Sequence, residues 1–300
     1  MLIDSFPLLT VLLLFITASI MPLLMKSNLV KGICIISFIV SFVMYLATLN
    51  RVLKTGDYFY RVGHFNAPFG IEFHVGTVEC IMGILFTFVA IMVIWNSIYN
   101  IHFDIREDKI PLYYLLVNIL IASLLGIVFS NDMFNVFVFI EIGNLASCGI
   151  VVVKDKKENI KAGMKYLIMS CLGSGLVLMG IAFLYSITGH LNMTYIHNEL
   201  VKNYIHYPRT ILITLGLFTV GLGVKSAMFP LHTWLPDAHS NAPTTSSAIL
   251  SSLVLKGYIL FLIKVLYRVF GIEIIRNFPI LNIILVLGCL GMILGSIFAI

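Results

Sequence analysis

The residues GLGVKSAMFPLHTWLPDAHSNAPTTSSAILSSLVLKGY, numbered 221–258, decide the fold of this 300-residue chain. They carry two lysines, Lys225 and Lys256, in otherwise apolar flanks. Between the lysines lie three prolines, two histidines and one aspartate: Pro230, Pro236, Pro243, His232, His239 and Asp237. Because proline removes a backbone donor and interrupts a helix, the stretch predicts two helices separated by a break near 226–243.

The chain around this stretch is strongly apolar. Hydrophobic residues make up 60% of the sequence and charged residues 11%, a balance typical of membrane proteins. A run of about 20 apolar residues is long enough to cross a bilayer as a helix. Nine such runs cover roughly 6–25, 31–50, 78–98, 111–130, 133–153, 163–187, 210–228, 243–267 and 279–300. The sequence therefore predicts an all-α, multi-pass membrane helix bundle whose seventh helix is discontinuous.

Other function classes have no support in the sequence. The net charge of +5 is spread over loops and forms no basic stripe, so nucleic-acid binding is not expected. The five cysteines form no C-x-x-C pair and are typical of small buried side chains. Motifs for nucleotide binding or hydrolysis are absent. We therefore expect no cofactor and no metal on this chain, and any redox chemistry on another subunit.

Three ionisable residues fall well inside predicted spans: Glu141, Lys225 and Lys256. A charge at the centre of a membrane costs a few kcal/mol, so each of them needs a partner or water. An apolar site favours the neutral form of a lysine, and a nearby carboxylate favours the charged form. Movement of Glu141 toward or away from Lys225 would then load or release a proton. The pattern predicts a proton relay, and a structural salt bridge is the alternative.

The break between the two lysine-bearing helices allows two interpretations. It is either a kinked helix followed by a loop, or a discontinuous helix whose polar groups form a hydrated entrance. Histidine changes charge near neutral pH, so His232 and His239, with Asp237 between them, suit proton entry.

Further polar residues are expected to support the relay. Ser252 and Thr245 share the predicted helix face of Lys256, and their hydroxyl groups are expected to line a file of water leading to its amine. Lys165 opens the sixth span, where it reaches the membrane surface or supports the relay. Lys264 and Arg268 close the eighth span and are expected to extend to the membrane surface.

Lysines cluster in the loop between the fifth and sixth spans: Lys154, Lys156, Lys157 and Lys161. Short loops rich in lysine and arginine face the cytoplasm. We therefore expect this loop in the cytoplasm and the N-terminus outside.

Three stretches of the sequence resemble a known family. KSAMFPLHTWLPDAHSNAPT (225–244), with Lys256 downstream, resembles the signature of the antiporter-like proton-translocating subunits. NDMFNVFVFIEI (131–142) resembles the fifth-helix motif of that family, and KAGMKYLIMSCLGSGLVLMGIAFLYSITGHLNM (161–193) resembles its sixth helix and following loop. Such subunits occur in respiratory complex I, in Mrp-type sodium/proton antiporters and in energy-converting hydrogenases. The resemblance runs from about Pro68 to the end of the sequence.

The resemblance implies roles for three residues. Glu141 matches the fifth-helix glutamate that modulates the key lysine, Lys225 matches the proton-carrying lysine of the broken seventh helix, and Lys256 matches the eighth-helix lysine that links the half-channels. It also implies a bundle of inverted repeats. On that pattern, 1–110 hold three N-terminal helices, 111–268 hold the first proton-translocating repeat (helices 4–8), and 269–300 begin a further helix.

The sequence departs from this family in two places. It ends at Ile300, inside the ninth predicted span, before the second repeat and its exit-side lysine or glutamate. We expect a shortened member, a second polypeptide that completes it, or a fragment. The family also often has an aspartate where this sequence has Gly76, and Glu79 lies close by.

Three functions remain open at this point. The first is a membrane subunit of a proton-translocating redox complex, similar to NADH-quinone oxidoreductase or an energy-converting hydrogenase. The second is a subunit of a multisubunit Mrp-type sodium/proton antiporter without redox chemistry. The third is a structural anchor or a truncated remnant. The first two imply other membrane subunits as partners, including a chain that supplies the second repeat, and peripheral redox subunits if transport is redox-driven. They imply transport of protons or sodium ions, in the cytoplasmic membrane of a prokaryotic cell.

Overall fold

The computed structural model describes residues 3–24, 27–68, 70–154 and 156–298. Within these ranges, nine helices are long and apolar enough to cross a membrane, which confirms the predicted all-α membrane bundle. In chain order, the helices are α1 Phe6–Ile20, α2 Ser27–Thr55, α3 Thr77–Asp104, α4 Ile110–Phe129, α5 Met133–Val152, α6 Lys157–Thr188, α7 Met193–Asn203, α8 Pro208–Lys225, α9 Leu235–Asn241, α10 Thr244–Ile275 and α11 Ile280–Phe298. The short helices α7 and α9 lie between spans.

Several helices are longer than the apolar runs that predicted them. Helix α2 continues to Thr55, α3 reaches Asp104 and α10 reaches Ile275, whereas the corresponding runs end near 50, 98 and 267. The length of an apolar run matches the thickness of the hydrocarbon layer. The helix itself can continue beyond the apolar run as long as its backbone hydrogen bonds are satisfied. Helix α6 likewise begins at Lys157, so Lys165 lies two turns inside the helix.

A small β-hairpin lies between α2 and α3, in a segment that carried no strand prediction. Strands β1 Tyr58–Arg61 and β2 Glu72–Val75 pair antiparallel, with Tyr58 opposite Val75. The side-chain amide of Asn131, in the turn between α4 and α5, donates to Glu72 (3.3 Å) and to Asn192 (3.3 Å). These bonds join the hairpin, the α4–α5 turn and the start of α7 at one end of the bundle, which we call the hairpin end.

The opposite end of the bundle holds the break between α8 and α10, and we call it the break end. A carboxylate oxygen of Asp104, the last residue of α3, accepts a hydrogen bond from the backbone of Thr244, the first residue of α10 (3.0 Å). The other oxygen of Asp104 pairs with Lys154 (3.0 Å). The lysine-rich loop predicted to face the cytoplasm therefore lies at the break end.

Burial differs sharply among the spanning helices. In an 18-residue apolar stretch of the span that contains α4, 78% of the residues are buried, against 6% in such a stretch of α11. Helix α4 is therefore the centre of the bundle, packed against α1, α3 and α5. Exposed apolar faces are stable against lipid or against other membrane helices, so the outer faces fit a multi-pass membrane protein.

Helix α10 is not uniformly α-helical. π-Helical turns at Leu250–Val254 and Val265–Phe270 flank its α-helical segment Leu255–Lys264. A π-helical turn inserts residues into the helix and changes the faces on which later side chains lie. Side chains before and after Leu250–Val254 therefore do not follow a simple α-helical spacing.

Candidate functional site

Lys225 is the last residue of α8 and lies inside the bundle, with 2% of its surface exposed. Its ammonium group donates to the side-chain oxygen of Asn144 on α5 (2.8 Å) and to the hydroxyl of Ser170 on α6 (3.1 Å). It also lies 5.3 Å from the ring centre of Tyr258 on α10, close enough for a cation–π interaction. Four helices thus meet at this amine.

Glu141 reaches Lys225 through an intermediary. Glu141 is half-buried on α5 and accepts a hydrogen bond at Oε1 from the side-chain nitrogen of Asn144, one turn along the same helix (3.2 Å). The oxygen of the same amide accepts from Lys225, from Ser170 (2.7 Å) and from the hydroxyl of Tyr258 (3.3 Å). We call these five residues the Lys225 site.

Two of these contacts could not be predicted from spacing. Asn144 lies three residues after Glu141, on the same helix face, but this spacing does not show that its amide contacts Lys225, Ser170 and Tyr258. Ser170 and Tyr258 were missed, because each lies on a different helix from Lys225 and neither is charged. Tyr258 does fall inside the opening stretch, two residues after Lys256.

Two glycines bring α6 and α8 into backbone contact beside the Lys225 site. A side-chain carbon at Gly221 would lie 2.7 Å from the backbone oxygen of Gly173, and one at Gly173 would lie 2.9 Å from the backbone oxygen of Gly221. Small residues permit such close approach of membrane helices. The contact holds Lys225 within reach of Ser170, because Gly173 lies one turn after Ser170 on α6.

The break begins immediately after Lys225. Ala227 has a positive φ of 55°, and the indole nitrogen of Trp234 donates to the backbone oxygen of Val224 (2.9 Å), a carbonyl group near the end of α8. Pro230 lies in the turns of the break, Pro236 in the first turn of α9, and Pro243 directly before α10. The prolines therefore interrupt the helix in the predicted region. The short helix α9 lies inside this interruption.

The other predicted residues of the break lie nearer the surface than Lys225. Asp237 pairs with Lys165 (2.6 Å), and both side chains are about half exposed. His239 is half-buried and lies 2.7 Å from the hydroxyl of Ser247; its burial lowers its pKa. His232 packs against Phe229. Lys165 thus contacts the break and not Lys225.

Lys256 does not join the Lys225 site. Its side chain is exposed on the outer face of α10, where the ammonium group donates to the backbone oxygen of Ser251. Thr245 is buried and bonded to the hydroxyl of Tyr113 (2.7 Å), and Ser252 donates to the backbone of Ala248. The expected file of hydroxyl groups leading to Lys256 is not formed, because the π-helical turn Leu250–Val254 separates Thr245 from Lys256.

The prediction that Lys264 and Arg268 extend to the membrane surface is wrong. Lys264 is 6% exposed and donates to the backbone oxygens of Val128 and Ser130 (3.2 Å to Ser130). Arg268 pairs with the buried carboxylate of Glu79 (3.0 Å). Spacing along one helix could not show this, because the partner carboxylate lies on α3.

The chain matches a known protein family. The transmembrane family described as NADH:quinone oxidoreductase/Mrp antiporter matches residues 130–300, more than half of the chain. This range contains every member of the Lys225 site.

Individual relatives come from both branches named in that description. The chain is 29% identical to NADH-quinone oxidoreductase subunit N of Desulforudis audaxviator over 85% of its own length and 50% of the relative. It is 26% identical to a Na(+)/H(+) antiporter subunit of Alkalihalophilus pseudofirmus, over 89% of its own length and 54% of the relative. The chain thus spans about half the length of these relatives.

A solved structure shares the fold. A chain of the membrane-bound sulfane sulfur reductase, an archaeal respiratory membrane complex, superposes with a TM-score of 0.81 at 26% identity. The match covers 90% of this chain and 55% of the other. Together with the family match, it shows that this chain belongs to the NADH:quinone oxidoreductase/Mrp antiporter transmembrane family.

Proposed function

We propose that this chain is a proton-translocating membrane subunit of a multisubunit complex, and that Lys225 is the side chain that takes up and releases the proton. The observation that carries the proposal is the set of partners of the buried amine. Its direct hydrogen-bond partners, Asn144 and Ser170, are neutral. Burial favours the neutral form of a lysine, and neutral partners do not fix the charge as a contacting carboxylate would. Lysine, unlike arginine, can then release its proton.

Asn144 transmits the state of Glu141 to Lys225. Its nitrogen holds Glu141 and its oxygen holds Lys225. When Glu141 is ionised and in this position, its charge favours the protonated amine. Protonation of Glu141, or its movement away from Asn144, removes that stabilisation and favours release of the proton from Lys225.

The break end serves as the entrance in this proposal, on the cytoplasmic side of a prokaryotic membrane. Three observations support this: the helix is interrupted one residue after Lys225, the polar groups of His239 and Asp237 lie in the interruption, and the lysine-rich loop lies at the same end. Discontinuous helices with polar breaks line ion pathways in membrane transporters.

The proposed partners are further membrane helices of the same complex. Helix α11 and the outer face of α10 around Lys256 are exposed, and a lysine that faces lipid is unfavourable. We place 111–268 as the proton-translocating repeat, 1–110 as the preceding helices, and Lys256 at the surface where the next membrane helices dock.

A second function is equally compatible with the relatives. One relative is named as a quinone oxidoreductase subunit and the other as a sodium/proton antiporter subunit, at similar identity. Proton uptake driven by a sodium gradient in vesicles without an electron donor would favour the antiporter. Co-purification with iron–sulfur or nickel subunits would favour a redox complex.

The proposal is tested by measuring proton translocation in vesicles that contain the complete complex, with a pH-sensitive dye. Glu141→Ala and Lys225→Ala are expected to abolish translocation. The control is Lys202→Ala, which removes an exposed lysine of α7 paired only with Glu199 in the described structure (2.7 Å). Wild-type translocation in both Glu141→Ala and Lys225→Ala would overturn the proposal.

A further inference from the structure

A second group of ionisable side chains converges at the hairpin end. Glu79, on the first turn of α3, is 6% exposed. Its Oε1 lies 3.0 Å from Arg268 and 3.9 Å from the amine of Lys264, both on α10. The same oxygen lies 3.1 Å from Nδ1 of His74 on β2. With Asp57, these residues form what we call the Glu79 cluster.

Three side chains of the Glu79 cluster pack against Gly76. A side-chain carbon at Gly76 would lie 2.8 Å from each of three atoms: Oδ2 of Asp57, Oε2 of Glu79 and Cε1 of His74. The absence of a side chain at position 76 therefore lets these three titratable groups approach one another. The carboxylate of Glu79 fills the space that a side chain at position 76 would need.

The cluster runs from the interior to the surface. Lys264, Glu79 and His74 are buried, and Asp57 has 55% of its side chain exposed. The two nitrogens of His74 face opposite neighbours: Nδ1 faces Glu79, and Nε2 lies 3.8 Å from Oδ2 of Asp57. A cleft of about 360 Å³ opens beside these residues and is lined by Lys264, Arg268 and Tyr267 among others.

We propose that Lys264, Glu79, His74 and Asp57 form a second proton-transfer path, which opens on the hairpin end. In each passage, Lys264 gives a proton to the carboxylate of Glu79, and Glu79 passes it to Nδ1 of His74. Nε2 of His74 then releases a proton to Asp57 and the surrounding water. The next proton then recharges Lys264, and Asp57 gives its proton to water. His74 is left with its proton on Nδ1, and rotation of its ring or exchange with water restores the Nε2–H form before the next transfer. Imidazole is suited to this step, because one nitrogen accepts a proton while the other releases one.

The spacing within the path limits how protons move. Glu79 and His74 are 3.1 Å apart, but Nδ1 of His74 makes no hydrogen bond in this arrangement, so transfer requires a small rotation of one side chain. The separations of 3.9 Å and 3.8 Å at the two ends require a bridging water or a small movement of a side chain. Arg268 keeps its charge throughout and stabilises the ionised form of Glu79. Asp57 and Glu72 also interact electrostatically with its guanidinium group.

The path rests on the function proposed above and would carry protons onward from the Lys225 site. Tyr258, a member of that site, and Lys264 lie on the same α-helical segment, Leu255–Lys264. Six residues of helix correspond to about 9 Å. Water must bridge this distance, since the intervening buried residues include Phe261. The two groups therefore lie in sequence along α10, from the interior toward the hairpin end.

A purely structural ion pair is the competing explanation. Arg268 alone would neutralise Glu79, and a buried lysine beside it adds a desolvation penalty without a stability gain. A structural pair also has no need of a histidine oriented between a buried and an exposed carboxylate. The two explanations make different predictions for His74. Proton transfer requires its imidazole to gain and lose a proton, whereas a structural role does not.

The experiment uses the complete complex in vesicles and compares Glu79→Gln and His74→Gln with Glu72→Gln. Glu72 is a matched control, a buried carboxylate on the same hairpin whose Oε2 accepts from the amides of Asn131 and Asn192. We expect proton translocation to fall at least about tenfold in the first two variants and to persist in Glu72→Gln. Glu79→Asp, which keeps a carboxylate, is expected to restore part of the rate.

A pH profile separates proton transfer from a structural role. In the wild type, the rate should depend on the pH of the compartment that the hairpin end faces, and His74→Gln should remove that dependence. If the complex with Glu79→Gln does not assemble, the His74→Gln variant alone tests the second path. An unchanged rate and pH profile in His74→Gln would overturn the second path.

Lys225→Ala, measured in parallel, distinguishes the two proposals. If Lys225→Ala blocks translocation while both cluster variants behave as wild type, the second path is wrong and the Lys225 site stands. If both cluster variants block translocation while Lys225→Ala does not, the Lys225 site is wrong, and the Glu79 cluster transfers protons that do not pass through Lys225.

Discussion

Glu141 and Lys225 are joined through a single amide group. The nitrogen of Asn144 donates to Glu141 over 3.2 Å, and its oxygen accepts from Lys225 over 2.8 Å. A direct ion pair between the two would hold both charges in place. An intervening neutral amide couples the two charges without locking either residue in its ionised state. A proton relay requires such coupling.

Asn144 is therefore expected to be as important as the two charged residues. Asn144→Ala leaves three donors without their acceptor, on Lys225, Ser170 and Tyr258. Each buried donor left unsatisfied costs about 1–3 kcal/mol, so we expect lower thermal stability of the complex and loss of proton translocation. Asn100→Ala, at an exposed position on α3, should change neither. Normal translocation by Asn144→Ala would show that the amide is not needed.

Asn144→Asp separates charge from packing. The substitution keeps the shape of the side chain but sets a carboxylate against the amine of Lys225, which stabilises the protonated form. We expect a complex that assembles normally and translocates protons poorly. Purification yield and dye-monitored translocation measure the two properties separately. Wild-type translocation by this variant would mean that Lys225 need not lose its proton.

The contact between α6 and α8 is expected to tolerate no side chain. Gly221→Ala places a carbon 2.7 Å from the backbone oxygen of Gly173, so the helices must separate, at a cost of about 1–3 kcal/mol. Gly216→Ala, on the same helix with open space beside it, should be neutral or stabilising by about 1 kcal/mol. Thermal unfolding of the two variants tests this difference. Equal stability of the two would contradict the close contact.

His239 gives the break end a predictable response to acid. Burial lowers its pKa from the ordinary value of 6.5, so the folded state binds its proton less readily than the unfolded state. The stabilising contribution is complete above pH 6.5 and is lost as the pH falls below it. His239→Gln should therefore reduce the loss of thermal stability between neutral and mildly acidic pH. An identical pH profile in the variant and the wild type would contradict this assignment.

The membrane bundle and the break could be predicted from the sequence, because each depends on which residues occur within one continuous segment. Apolar runs of spanning length predicted the nine helices, and prolines after Lys225 predicted the interruption. Glu141 and Lys225 stood out because charges are unfavourable inside a membrane. The structure connects them, although by way of Asn144.

The features that were missed depend on contacts between distant segments. Ser170 and Tyr258 are neutral, and only the packing of α6 and α10 against α8 brings them to Lys225. Lys264 resembled a surface lysine because its partner Glu79 lies on α3. The exposed position of Lys256 could not be predicted, because the pattern of apolar residues in the sequence does not indicate the π-helical turn inside α10.

The central claim is that Lys225 releases a proton during turnover, and Lys225→Arg tests it most directly. Arginine keeps the positive charge but does not deprotonate in proteins. The measurement is proton translocation by vesicles that contain the complete complex, with Lys202→Arg as the control for the same substitution at an exposed position. We expect both variants to assemble, Lys225→Arg without proton translocation and Lys202→Arg with it. Translocation by Lys225→Arg at the rate of the wild type would contradict it.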